Sequence, residues 1–251
     1  MIIKSQEERS DIIENCRSAL GYSVGEFAAL VFAGALEFED AVRLIKVRGR
    51  AMQAASKVGG ESGMVTAIGK STTRFPQACR DARYFCKKEL GIENACCSVT
   101  ATLSPNTVTI GGHVEAIDHL RGNLFEYNIR KLINIPVSGA FHTRLMYPAK
   151  KDLEQVMRNI TIKKPLIDVY SNVTGKKYTN PYEIKRNLAT QVVKPIQWEQ
   201  TISCLVHSLS NEFALPAFYE AGPGSQLGTL LRQVHGKAYR NYTKPSLVKP
   251  L

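Results

Sequence analysis

The middle of the chain carries the most restrictive pattern. Between residues 63 and 135, six segments follow one another in an order few folds accept. Residues 64–69 read as a strand, and 76–90 read as a helix with Pro76 at its start and Gly91 past its end. Residues 95–101 and 107–112 read as strands around a Ser104-Pro105-Asn106 turn. A helix is predicted over 114–127 and a strand over 131–137. The order is βαββαβ, the split βαβ arrangement.

The flanks follow another rule. Helices are predicted after Ser23, over 34–52, and after His142 to about 158. Then come a strand over 167–170, helices over 183–192 and 198–209, a strand over 217–221 and a helix over 225–236. Alternating strands and helices predict a parallel sheet covered by helices. The simplest architecture is an α/β domain with a small α+β unit inserted into it. The expected division is 1–62 and 136–235 for the larger domain, 63–135 for the insertion, and 236–251 for a basic tail. That tail holds four basic residues, two prolines and no acid, so it is expected to be loose or lightly docked.

The bulk numbers exclude several classes. With 251 residues, 44% of them hydrophobic, the chain has material for a full core without staples. Six cysteines at 16, 79, 86, 96, 97 and 204 form no C-x-x-C pair, which argues against a zinc site or a disulfide framework. The longest apolar stretch, 27–36, is too short to span a bilayer, so no membrane insertion is expected. Glu7, Glu8, Asp11 and Glu14 give the first residues the look of neither a signal nor a transit peptide. The net charge of +11 favours anionic partners, but it does not choose among nucleic acid, acidic proteins and phosphorylated cofactors.

The sharpest chemical motif is Gly21-Tyr22-Ser23-Val24-Gly25, which runs directly into the helix start Glu26-Phe27-Ala28-Ala29-Leu30. Gly-x-Ser-x-Gly before a helix is the nucleophile elbow. Its glycines allow a turn that lifts the serine hydroxyl clear, and the Val24 amide faces a reacting carbonyl from a helix N-terminus. By itself the pentapeptide is also compatible with a plain glycine turn.

A serine nucleophile needs a base. His113, His119, His207 and His235 fall on or beside helices where ordinary surface or dipole roles explain them. His142 lies in Pro136-Val137-Ser138-Gly139-Ala140-Phe141-His142, where the chain leaves the small unit and a cleft is expected. Asp40, Asp81 and Asp118 lie between Ser23 and His142, and none is a convincing orienter for the imidazole. A backbone carbonyl could hold it instead. Arg48 falls beside the inward face of its helix, compatible with a solvated arginine or a buried clamp for a carboxylate. Gly222-Pro223-Gly224 reads as a structural turn, though its amides at a helix start could also help hold a negative group.

Together these segments carry a resemblance. The elbow, Val31-Phe32-Ala33-Gly34, Arg48-Gly49-Arg50-Ala51-Met52, Ser62-Gly63-Met64, Pro136 to Met146, Val169-Tyr170-Ser171-Asn172-Val173, Pro195-Ile196-Gln197-Trp198 and Glu220-Ala221-Gly222-Pro223-Gly224 occur in the order found in malonyl-CoA:acyl carrier protein transacylases. The chain most resembles the mitochondrial type. The resemblance implies a hydrolase-like domain with a ferredoxin-like insertion. It implies Ser23 as nucleophile, His142 as base, the Gln191 main-chain carbonyl holding the histidine, and Arg48 binding the free malonyl carboxylate. Phe141 would crowd a methyl branch on the acyl group.

Coenzyme A thioester and the phosphopantetheine of acyl carrier protein are the implied substrates. No permanent cofactor, metal or nucleic acid is implied. The resemblance also implies a monomer of the mitochondrial matrix. The chain departs from the family at Tyr22, where bacterial relatives usually have histidine, and at Leu103, where many have asparagine. The family's opening strand and Gly-Gln-Gly-Ser-Gln loop do not occur in this sequence. The alternatives left open are a patatin-like esterase or lipase, and a catalytically impaired fragment of the transacylase.

Overall fold

The computed structural model describes residues 10–210 and 215–244. The expectations for the first nine residues and for 245–251 lie outside them. A short helix α1 (Ser10–Glu14) leads to strand β1 (Ser18–Ala19), which enters α2 (Val24–Phe32) through the elbow. Next come α3 (Phe38–Ala55), β2 (Ser62–Ile68), α4 (Phe75–Leu90), β3 (Cys97–Ser104), β4 (Thr107–His113), α5 (Val114–Gly122) and β5 (Lys131–Ile135). A 3-10 turn (Arg144–Met146) opens α6 (Tyr147–Met157). The chain continues through β6 (Asp168–Val169), α7 (Pro181–Gln191), β7 (Ile196–Gln197), α8 (Trp198–Leu209), β8 (Phe218–Tyr219), α9 (Gln226–Val234) and β9 (Tyr242–Thr243).

The middle unit has the element order expected of it. Its strands form an antiparallel sheet, with β4 between β2 and β3 and β5 on the outer side of β2. Helices α4 and α5 bury Ala78, Ala82 and Leu120 against Val65, Ala67 and Ile110. Gly91, at a left-handed φ of 67°, ends α4 and lets the Ile92 amide return to the Cys86 carbonyl at 2.9 Å. Unforeseen was β7, which adds to this sheet in parallel beside β3. It brings α8 and α9 onto the sheet, where Trp198, Ile202 and Leu231 pack with Ala101 and Leu103.

The larger domain is helix-rich. Its parallel pairing among the described residues consists of β1 with β6 and β8 with β9. Helices α2, α3, α6 and α7 share one core containing Phe27, Leu30, Leu44, Leu153, Ile184 and Leu188. Each such side chain stabilises the fold by about 1.5–3 kcal/mol on burial. Proline opens α6 and α7, and the Asn180 side chain caps α7 by accepting from the Glu183 amide at 2.9 Å.

Two expectations need correction. The helix placed at 34–52 runs over Phe38–Ala55, because Gly34 sits at φ 69° and the chain from 34 to 36 turns to bond back to Leu30 and Val31. The helix placed at 114–127 stops at Gly122; it is followed by turns in which Asn128 has φ 56°. The basic tail was expected to be loose or lightly docked, and its described part is docked: Ala238 is buried, β9 pairs with β8, and the Tyr242 hydroxyl donates to Glu220 at 2.6 Å.

Candidate active site

Ser23 caps α2 with φ 54° and ψ −108°, a conformation L residues rarely hold. Such strain costs on the order of 1–3 kcal/mol and persists only where the surroundings impose it. Here they do. The Asn172 side chain accepts from the Ser23 amide at 2.7 Å and donates to the Gly21 carbonyl at 2.7 Å. The Gln191 side-chain amide donates to the Ser23 carbonyl at 3.1 Å. A Cβ at Gly21 would lie 1.8 Å from the Gly25 carbonyl oxygen, so only glycine fits there. Gly25 meets nothing within 4 Å. The Val24 amide is the first of α2, where no intrahelical acceptor can reach it.

Two sequence-predicted side chains converge on the Ser23 hydroxyl. His142 Nε2 stands 3.0 Å from Oγ, and Arg48 Nη2 donates to Oγ at 2.8 Å. His142 Nδ1 is 2.8 Å from the main-chain carbonyl of Gln191. A carbonyl can only accept, so Nδ1 carries the proton and Nε2 is left to accept from serine. The tautomer needs no carboxylate. His142 is buried at φ 60° on the turn after Phe141, which is half-buried against the larger core.

Burial holds His142 neutral, pushing it down to about 4; the Arg48 charge adds to this and the bond to Gln191 opposes it. Arg48 is lowered to about 10 by burial, against the attraction of Glu26. Its buried Nε has no hydrogen-bond partner.

Sequence reasoning gave no role to Glu26, Tyr178, Asn172 or the side chain of Gln191. Glu26 is fully buried. It accepts from the Tyr178 hydroxyl, the Gln191 amide and the Asn172 N–H. Burial raises its carboxyl to about 7 against those bonds and the Arg48 charge. The available signal was an acid beside an apolar run, which a helix dipole explains equally well. His113 was expected on or beside a surface helix. It is buried instead, with Nδ1 accepting from the Cys96 amide at 2.8 Å and Nε2 donating to the Gly59 carbonyl at 2.6 Å.

A cleft of about 350 Å³ opens beside His142, between the two units. Arg83, Arg144 and Lys194 lie along it. Among the described residues no group of three or more histidine, cysteine or acidic side chains could hold a metal, and no helix is long and apolar enough to cross a membrane.

A serine strained at a strand-to-helix turn, within reach of a carbonyl-held imidazole, defines a site for acyl-group chemistry. The acyl transferase domain model matches residues 17–235, and the chain belongs to that family. It is 45% identical over 232 residues to the mitochondrial malonyl-CoA-acyl carrier protein transacylase of Mus musculus, covering 92% of this chain and 60% of the mouse protein. The solved malonyl CoA-acyl carrier protein transacylase of Coxiella burnetii superposes with a TM-score of 0.79 at 29% identity, covering 91% of this chain and 67% of that one. A malonyl-transacylase solved in complex with a type II PKS acyl-carrier protein gives 0.76 at 26% identity, over 94% of this chain and 71% of that one. The chain spans 60% and 61% of the length of the mouse and human relatives it matches.

Proposed function

We propose that this chain moves malonyl from coenzyme A to the phosphopantetheine thiol of an acyl carrier protein through an ester on Ser23. The observation that carries the reading is the meeting of a base and a cation on one hydroxyl, with His142 Nε2 at 3.0 Å and Arg48 Nη2 at 2.8 Å from Ser23 Oγ. Ser23 attacks the thioester carbon as His142 takes its proton. The Gln191 carbonyl stabilises the imidazolium that forms. The Val24 amide faces the oxyanion from the N-terminus of α2. Coenzyme A leaves with the proton, and the carrier thiol then attacks the malonyl ester by the reverse steps.

Arg48 offers its positive charge to the malonyl carboxylate. Phe141, next to His142, limits branching at the acyl carbon. The cleft along Arg144 and Lys194 admits the pantetheine arm, and its cations suit phosphate and an acidic carrier face. The names of the mitochondrial relatives support work in mitochondria; a monomer in the matrix is the reading proposed with it. A patatin-like esterase fits less well, since His142 is held by a carbonyl and a buried arginine contacts the nucleophile.

Ser23→Ala tests the assignment. Intact mass should show a malonyl adduct on the wild type and none on the variant, with transfer falling on the order of a thousandfold or more. An adduct that survives the substitution excludes Ser23 as the acylated residue.

A further inference from the structure

Glu26 is the one charged group at the site that malonyl transfer leaves unused. Its Oε2 accepts from the Gln191 amide nitrogen, and the same Gln191 amide accepts from Arg48 Nη2 through Oε1 at 3.3 Å. Carboxyl, amide and guanidinium therefore form a chain that Gln191 cannot leave without breaking a buried bond at each end. The ionisable groups facing Glu26 are Arg48 from α3 and Tyr178 from the loop before α7; His142 lies beyond Arg48, and Glu183 beyond Tyr178. Arg48 and Glu26 thus set one cation against one carboxyl.

A malonyl group brings a second carboxylate to the same cation. One guanidinium does not balance two carboxylates in a buried site, and a buried charge left over takes up a proton instead. The malonyl acid is the stronger of the two, since its neighbouring carbonyl withdraws electrons. Glu26 already leans to the neutral form, because burial lifts it to about 7.

Resting on the malonyl reading above, we propose that Glu26 takes up a proton when the acyl carboxylate reaches Arg48, and so sets the site's choice between charged and uncharged acyl groups. Loading itself is proton-neutral. The Ser23 oxygen bonds to the acyl carbon, the carbon–sulfur bond breaks, and the serine proton passes through His142 to the departing thiolate. The Glu26 proton is additional and comes from solvent. Glu26 acts through Gln191 and Arg48, as a positioning residue that touches no reacting atom.

The test loads the full chain with malonyl-CoA or acetyl-CoA between about pH 6 and about pH 9, at equilibrium with free coenzyme A. Intact mass gives the ratio of malonyl to acetyl ester, in which ionisation of the thiol cancels. An indicator dye in weak buffer follows proton uptake. The ratio should fall up to about tenfold per pH unit above neutrality, with up to about one proton taken up per malonyl ester. Glu26→Gln should flatten the ratio and abolish the uptake. Tyr178→Phe removes a bond that holds Glu26 ionised, so it should move the fall to higher pH.

A flat ratio in the wild type, or a slope that survives Glu26→Gln, overturns the coupling and leaves malonyl transfer standing. Failure of the wild type to form any malonyl ester overturns both. If Glu26→Gln does not fold, Tyr178→Phe carries the test, and an unmoved fall in that variant overturns the coupling.

Discussion

The inserted unit and the elbow region differ in how they bury polar side chains. In the unit, Tyr127 and Gln77 both donate to Asp81, and other polar side chains bond to backbone. Arg83 donates to the Cys97 carbonyl, and His113 spans the Cys96 amide and the Gly59 carbonyl. Around the elbow, Asn172 and His142 bond to backbone too, but the other side chains link in one chain: Ser23 with His142 and Arg48, Arg48 with Gln191, Gln191 with Glu26, and Glu26 with Tyr178. A backbone partner is fixed by the path of the chain, so its loss is felt as stability. A side-chain partner can be exchanged for a ligand group, so its loss is felt as chemistry. Buried polar groups that pair with each other therefore mark where the molecule can act.

The sharpest way to break this contrast is at the two glycines of the elbow. Gly21→Ala puts a methyl group 1.8 Å from a carbonyl oxygen, while the same change at Gly25 meets nothing within 4 Å. Displacing the serine by an ångström costs about a hundredfold. Gly21→Ala should therefore lose malonyl ester formation by about that factor or more, and Gly25→Ala should stay within a few fold. Equal losses would show that the elbow depends on backbone freedom at both positions rather than on space at one.

Arg48→Ala sharpens the contrast further. A buried carboxylate that loses its only cation costs about 3–5 kcal/mol. Malonyl loading should fall by about that amount, a few hundredfold or more, while acetyl loading is kept or rises. Loss of both acyl groups in parallel would make Arg48 a support for Ser23 alone.

How much of this was legible depended on how local the cause is. Ser23 and Val24 were readable because a pentapeptide makes the turn. His142 was readable because it follows the last strand of the insertion. The helix over 198–209 was found at its observed bounds because its apolar spacing and ends are all local. Gln191 acts on His142 through a main-chain carbonyl, which any residue possesses, so only the resemblance pointed to it. Glu26 was missed because its burial is imposed by Asn172, Tyr178 and Gln191, about 150 residues further along the chain. The two-residue strand β7 was missed for the same reason, since its identity lies in pairing with β3. The parallel sheet was expected from alternation, yet its parallel pairs β1–β6 and β8–β9 are only two residues long.

The smallest expected effect tests the other half of the comparison. His113→Ala removes partners from the Cys96 amide and the Gly59 carbonyl. Gly59 is exposed, so water replaces the lost donor at its carbonyl. Cys96 is buried, and its N–H is left without an acceptor. One orphaned buried amide costs about 1–3 kcal/mol. For a chain of this size each kcal/mol moves the melting temperature by about 2–4 °C, so a thermal scan should fall by several degrees. Malonyl ester formation, measured well below the melt, should change by less than about twofold, the spread expected of an uncoupled site. Cys96 lines the same cleft as His142, so the two regions do meet there. A large loss of ester formation with an unchanged melt would show that His113 positions the cleft wall for substrate, and the division between backbone-held and side-chain-held polar groups would fail where the two units touch.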